Sequence, residues 1–130
     1  MGFMNIFQRV TNAGLKDCFI DDNSMLTFVV TPGELGKAIG KGAANIRSLE
    51  NAFKRKIKIV EFNPELSAFI RNLVYPSKVM DVNVEESIVT LTPENSQSRG
   101  YLIGRAASNL RNYEHIVQRY FHDVKEIKVL

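Results

Sequence analysis

The chain holds one cysteine, Cys18, among 130 residues. An intramolecular disulfide and a cysteine-based metal cluster are both excluded. Two histidines, His115 and His122, stand seven apart with no carboxylate or cysteine at metal-ligand spacing, so no metal site is read from them. Apolar runs are too short to cross a bilayer, and the first residues lack a basic-then-apolar leader, so a soluble cytoplasmic protein without membrane contact is expected. The acidic doublets Asp21-Asp22 and Glu85-Glu86 fall between apolar runs and read as hairpin turns rather than paired catalytic carboxylates. With no catalytic constellation, the expectation is not an enzyme, with neither cofactor nor small-molecule substrate.

What is present is positive charge in two places. The net charge is only +3, but residues 33–60 hold seven Lys or Arg against two Glu. Residues 93–130 are also net positive, while 1–32 and 61–92 are net negative. Charge gathered in this way points to phosphates. Each basic region contains a glycine turn between apolar residues: Ile39-Gly40-Lys41-Gly42-Ala43 and Ile103-Gly104-Arg105-Ala106-Ala107. Leu35 stands where a P-loop needs its first glycine, and Asn45 where a dinucleotide fingerprint needs its third, so neither is supported.

The order of elements repeats around these turns. Phe3, Ile6, Phe7 and Val10 give a helical spacing within Met1–Lys16. Strands follow at 18–20 and 25–30. Thr31-Pro32-Gly33-Glu34 reads as a helix start with Thr31 as cap. Ile46, Leu49 and Phe53 stripe the helix after the turn, and 56–62 reads as a strand. The second copy starts at the cap Asn63-Pro64. It continues through a helix, strands at 79–84 and 87–91, and a restart at Thr92-Pro93-Glu94. Gly104 breaks that helix; Leu110, Tyr113, Val117 and Phe121 stripe the next, before a closing strand at 126–130. Each half is thus α-β-β-α-turn-α-β, an α+β arrangement with helices packed on a three-stranded sheet. Domains are expected at 1–62 and 63–130. The short connection suggests that the halves bind as one semi-rigid unit.

This order, with a glycine turn between the last two helices, resembles the type II KH domain, whose signature is an apolar residue followed by Gly-x-x-Gly. Across the whole chain, the two tandem copies and the run Gly36–Gly42 resemble the short archaeal members of the NusA family of transcription termination and antitermination factors. The resemblance implies single-stranded RNA as ligand, RNA polymerase as a further partner, and a role in transcription elongation and termination. In such domains the turn holds the nucleic-acid backbone while bases lie in an apolar groove beside it. Carried over, the RNA-binding residues are Ile39, Gly40, Lys41, Gly42, Ala43, Asn45, Ile46 and Arg47 in the first copy. In the second they are Gly104, Arg105, Ala106, Ala107, Asn109 and Arg111.

The glycines at 40 and 42 let a phosphate approach the backbone, and the following helix start offers unpaired N–H groups. Ala43 is expected to sit in a helical first turn at negative φ. Ala106 adds a methyl at the tip, so the second copy is expected to bind more weakly. A different reading is an adaptor in which degenerate KH folds bind polymerase or ribosome with minor RNA contact. The run Lys54-Arg55-Lys56-Lys58 reads equally as a solvated edge or as an RNA contact.

Overall fold

The computed structural model describes residues 2–130 and divides into two compact units, Met1–Pro64 and Glu65–Leu130. The first contains α1 (Phe3–Thr11), β1 (Leu15–Ile20), β2 (Leu26–Val30), α2 (Leu35–Ile39), α3 (Ala44–Phe53) and β3 (Ile57–Glu61). The second repeats the order with α4 (Leu66–Val74), β4 (Val79–Glu85), β5 (Ile88–Pro93), α5 (Ser96–Ile103), α6 (Ser108–Tyr120) and β6 (Glu126–Val129). The α+β tandem type II KH architecture read from the sequence is the one found.

In each unit a hairpin gives an antiparallel pair, and two helices carry the chain back to a parallel third strand. The sheet orders are β1-β2-β3 and β4-β5-β6. The parallel pairing requires such a crossover, and the crossover contains the glycine turn. In the first unit Leu26, Phe28 and Val30 of the central strand pack with Phe7 of α1, Ala38 of α2 and Leu49 of α3. Phe7 stacks on Phe28 at 4.4 Å between ring centroids, and Phe53 covers Phe28 at 5.8 Å. Each such ring contributes roughly 1.5–3 kcal/mol by burial. In the second unit Phe69 meets Tyr120 and Phe121 at 5.5 and 5.7 Å. Leu73, Leu91, Leu102, Val117 and Ile127 are buried there. Tyr113 of α6 and Phe121, just past its end, are only half-buried, and the core face of α6 includes Ile116.

The helix starts differ from the sequence expectation. Met1 lies outside the described residues, and the first helix stops at Thr11. Asn12 ends it in the left-handed region (φ 52°), donating to the Gln8 carbonyl at 2.8 Å, which frees Leu15–Asp17 to join β1. Thr31-Pro32-Gly33-Glu34 is a β-turn, not a cap: Glu34 N–H donates to the Thr31 carbonyl at 3.1 Å with Gly33 at φ +84°. Proline then glycine at its centre suits a type II turn. The Glu34 carboxylate is used elsewhere, accepting from Gly14 N–H at 2.8 Å. The cap of α4 is Glu65, which accepts from Ala68 N–H at 2.7 Å, rather than Asn63. Asn95 caps α5 through Ser98 N–H at 2.8 Å. Thr92 and Pro93 complete β5, paired with Asp81 and Val79.

Candidate nucleic-acid interface

Both turns follow nearly the same backbone path. Helix α2 ends at Ile39, and Gly40 turns the chain at φ 78°, ψ 165°. Gly42 (62°, 27°) and Ala43 (62°, 26°) then both take left-handed conformations before α3 begins at Ala44. Sixty-four positions on, Gly104 stands at 73°, 177°, followed by Ala106 (52°, 34°) and Ala107 (63°, 21°) before α6. The expected negative φ at Ala43 is therefore overturned. The helix starts one residue later, and the fourth turn position is left-handed, which explains why glycine suits it. A left-handed alanine costs roughly 1–2 kcal/mol. The first turn contains one such residue and the second two.

An asparagine holds each turn closed. Asn45 donates its side-chain N–H to the Lys37 carbonyl at 3.0 Å, and Asn109 likewise to the Tyr101 carbonyl at 2.8 Å. Each bond ties the last turn of one helix to the first turn of the next. The amide lies against the turn glycine: a Cβ at Gly40 would come 2.8 Å from Asn45 Cγ, and one at Gly104 2.7 Å from Asn109 Cγ. Gly40 and Gly104 are thus fixed both by dihedral and by contact. The structure gives Asn45 and Asn109 a bracing role at the turn.

Lys41, Gly42, Arg105 and Ala106 are exposed at the tips, while Ile39, Gly40, Ala43 and Ala107 are half-buried. Neither α3 nor α6 receives a side-chain cap, whereas α4 and α5 do. The positive end of each helix thus stands beside an exposed cation at the turn tip, the setting that suits a phosphate. Arg47 folds back on the first turn, donating to the Gly42 carbonyl at 2.6 Å. Its counterpart Arg111 is drawn away: it pairs with Glu114 at 3.0 Å and donates to the Ile127 carbonyl at 3.3 Å. Ile46 keeps accessible apolar surface beside the turn, whereas Leu110 at the matching place is buried.

The basic run after α3 joins parts of the fold. Lys54 ends α3 at φ 57°, and Arg55 donates to the Ser24 carbonyl at 2.6 Å, closing the β1–β2 hairpin. Lys56 pairs with Glu50 at 3.8 Å. Burial holds the Lys58 ammonium below the usual lysine range, offset in part by Asp21. Cys18 is half-buried against the first core, and its thiol is pushed up by burial and then by Asp17. Two residues beside the turns were not picked out from the sequence: Lys37 and Tyr101, both exposed, each three before its turn glycine. That shared offset was readable.

The fold and the repeated turn define a protein of tandem KH units. The KH domain family profile matches residues 4–75. The probable transcription termination protein NusA of Methanococcus vannielii is 32% identical over 98% of this chain and 74% of its own. That of Halobacterium salinarum is 31% identical over 95% of this chain and 89% of its own. That of Methanocaldococcus jannaschii is 30% identical over 98% and 70%. The crystal structure of APE1850 matches with a TM-score of 0.77 at 25% identity, covering 98% of this chain and 95% of that one. The chain belongs to the NusA family of KH-domain proteins.

Proposed function

We propose that this protein binds single-stranded RNA through its two glycine turns and acts in transcription elongation and termination; its relatives are named as probable transcription termination proteins. The observation that carries the reading is the turn itself, built twice along one backbone path. In each, an exposed cation stands at an uncapped helix start that an asparagine keeps rigid. The site residues act in two ways. Gly40, Lys41, Gly42, Ala43 and Arg47, with Gly104, Arg105, Ala106 and Ala107, face the RNA backbone. Ile39 and Ile46 offer apolar surface to a base. The reading involves binding rather than catalysis and places the protein in the cytoplasm with nascent transcript. RNA polymerase is a further partner, and the route of that contact is part of the proposal. No helix among the described residues is long and apolar enough to cross a membrane.

The test is fluorescence anisotropy with an unstructured RNA oligonucleotide against a hairpin stem. The single strand should bind tighter, with a log–log salt slope of roughly −0.7 per phosphate contacted. Equal affinity for both, or no salt dependence, favours the adaptor reading. The methyl groups at the second turn lean that way for that turn alone.

A further inference from the structure

We infer that Tyr101 is a base-stacking residue of the second unit, so that the two units grip RNA by different chemistry. The inference rests on the RNA-binding reading of the turns. Tyr101 is 61% exposed although tyrosine has a large apolar ring to bury. Its place is fixed by the turn. Its own carbonyl takes the bracing bond from Asn109 at 2.8 Å, and it lies in the last turn of α5, three residues before Gly104, which ends that helix. The residue before it, Gly100, adds no side chain, and apart from its chain neighbours and the helix backbone nothing lies within 4 Å of where its Cβ would be. An exposed flat ring in the last turn of α5, braced beside the turn that presents Arg105, suits a nucleobase whose backbone is held at Arg105.

The matching place in the first unit holds Lys37, exposed and likewise braced through its carbonyl by Asn45. The first unit thus has Lys37, Lys41 and Arg47 around its turn. The second has Tyr101 and Arg105, with Arg111 tied to Glu114. Stacking accepts any base and adds little to salt dependence, whereas each cation adds to it. The second unit, weaker in charge and carrying the more strained turn, gains from the ring what it lacks in phosphate contacts.

The full chain has no tryptophan, so Tyr101→Trp creates a single reporter. A single-stranded oligonucleotide should quench its emission with the same midpoint as anisotropy reports. Unchanged emission while anisotropy shows binding overturns the inference. In the Lys41→Asp background, where the second turn is the main contact, Tyr101→Ala should weaken binding about fivefold or more with an unchanged salt slope. Tyr101→Phe should keep the affinity. Lys37→Ala in the parent should instead lower the slope by roughly 0.7. Equal affinity of the Lys41→Asp chain with and without Tyr101→Ala, or a fall in slope with that change, overturns the inference while leaving the RNA reading standing. A parent chain that binds no single-stranded RNA overturns both.

Discussion

The two turns differ in sequence far more than in shape. Gly40-Lys41-Gly42-Ala43 and Gly104-Arg105-Ala106-Ala107 place their left-handed residues at the same two positions, within about ten degrees in φ and ψ. A backbone that persists when the glycine at one left-handed position, Gly42, is replaced by alanine, Ala106, with alanine already at the other, is imposed from outside the turn. The asparagine brace and the two flanking helices impose it, and the local residues accept the strain. What sequence divergence changes is the surface on that backbone. The first turn keeps a bare glycine tip and a second guanidinium. The second has a methyl tip, and its Arg111 is bound to a buried glutamate.

The largest effect should come from the residue both turns share. Gly40→Ala and Gly104→Ala each force a side chain into a glycine-only region and against the bracing asparagine. Each should destabilise its unit by about 3 kcal/mol, read from urea unfolding. A well-tolerated alanine at either site would break the equivalence of the turns. A smaller difference lies behind them. Glu114 accepts from Ile127 N–H at 2.9 Å and from Arg111, with its side chain 9% exposed. Its counterpart Glu50 makes the matching bond to Ile57 N–H at 3.3 Å and is 24% exposed. Glu114→Ala should therefore cost about 2 kcal/mol and Glu50→Ala about 1. The reverse order would show that the second unit does not depend on this anchor. The smallest effect should be a gain. Ala43→Gly, Ala106→Gly and Ala107→Gly each relieve a left-handed alanine and should stabilise by up to about 1 kcal/mol, after the entropy that glycine adds to the unfolded chain. Destabilisation by all three would contradict the strain assigned to the second turn.

Much of this was legible in the sequence. Element order and sheet membership followed from alternation and helical spacing, because Phe28, Leu49, Leu110 and Val117 have to face a core. Helix starts were less legible. Thr31-Pro32-Gly33-Glu34 satisfies the pattern of a capping box and that of a type II turn. The choice was made by Gly14, seventeen residues earlier, which takes both Thr31 and Glu34 as partners. The glycines and cations of the turns were visible as a motif. The left-handed state of Ala43 was not, because an alanine before a helix ordinarily signals helix and the bracing Asn45 acts through a distant carbonyl. The diversion of Arg111 depended on Glu114 being buried by β6, a contact no local pattern records. Tyr101 and Lys37 needed the turn's geometry before their shared offset meant anything.

The central claim is that one phosphate-binding turn is built twice, with its grip set by the groups left on its surface. The most direct measurement compares Lys41→Asp with Arg105→Asp for binding to one single-stranded RNA, with circular dichroism confirming that both exposed-tip variants stay folded. The account predicts that both lose affinity and that Lys41→Asp loses more, because Gly42 leaves the backbone open where Ala106 adds a methyl. Unchanged binding by both variants, or a larger loss from Arg105→Asp, would contradict it.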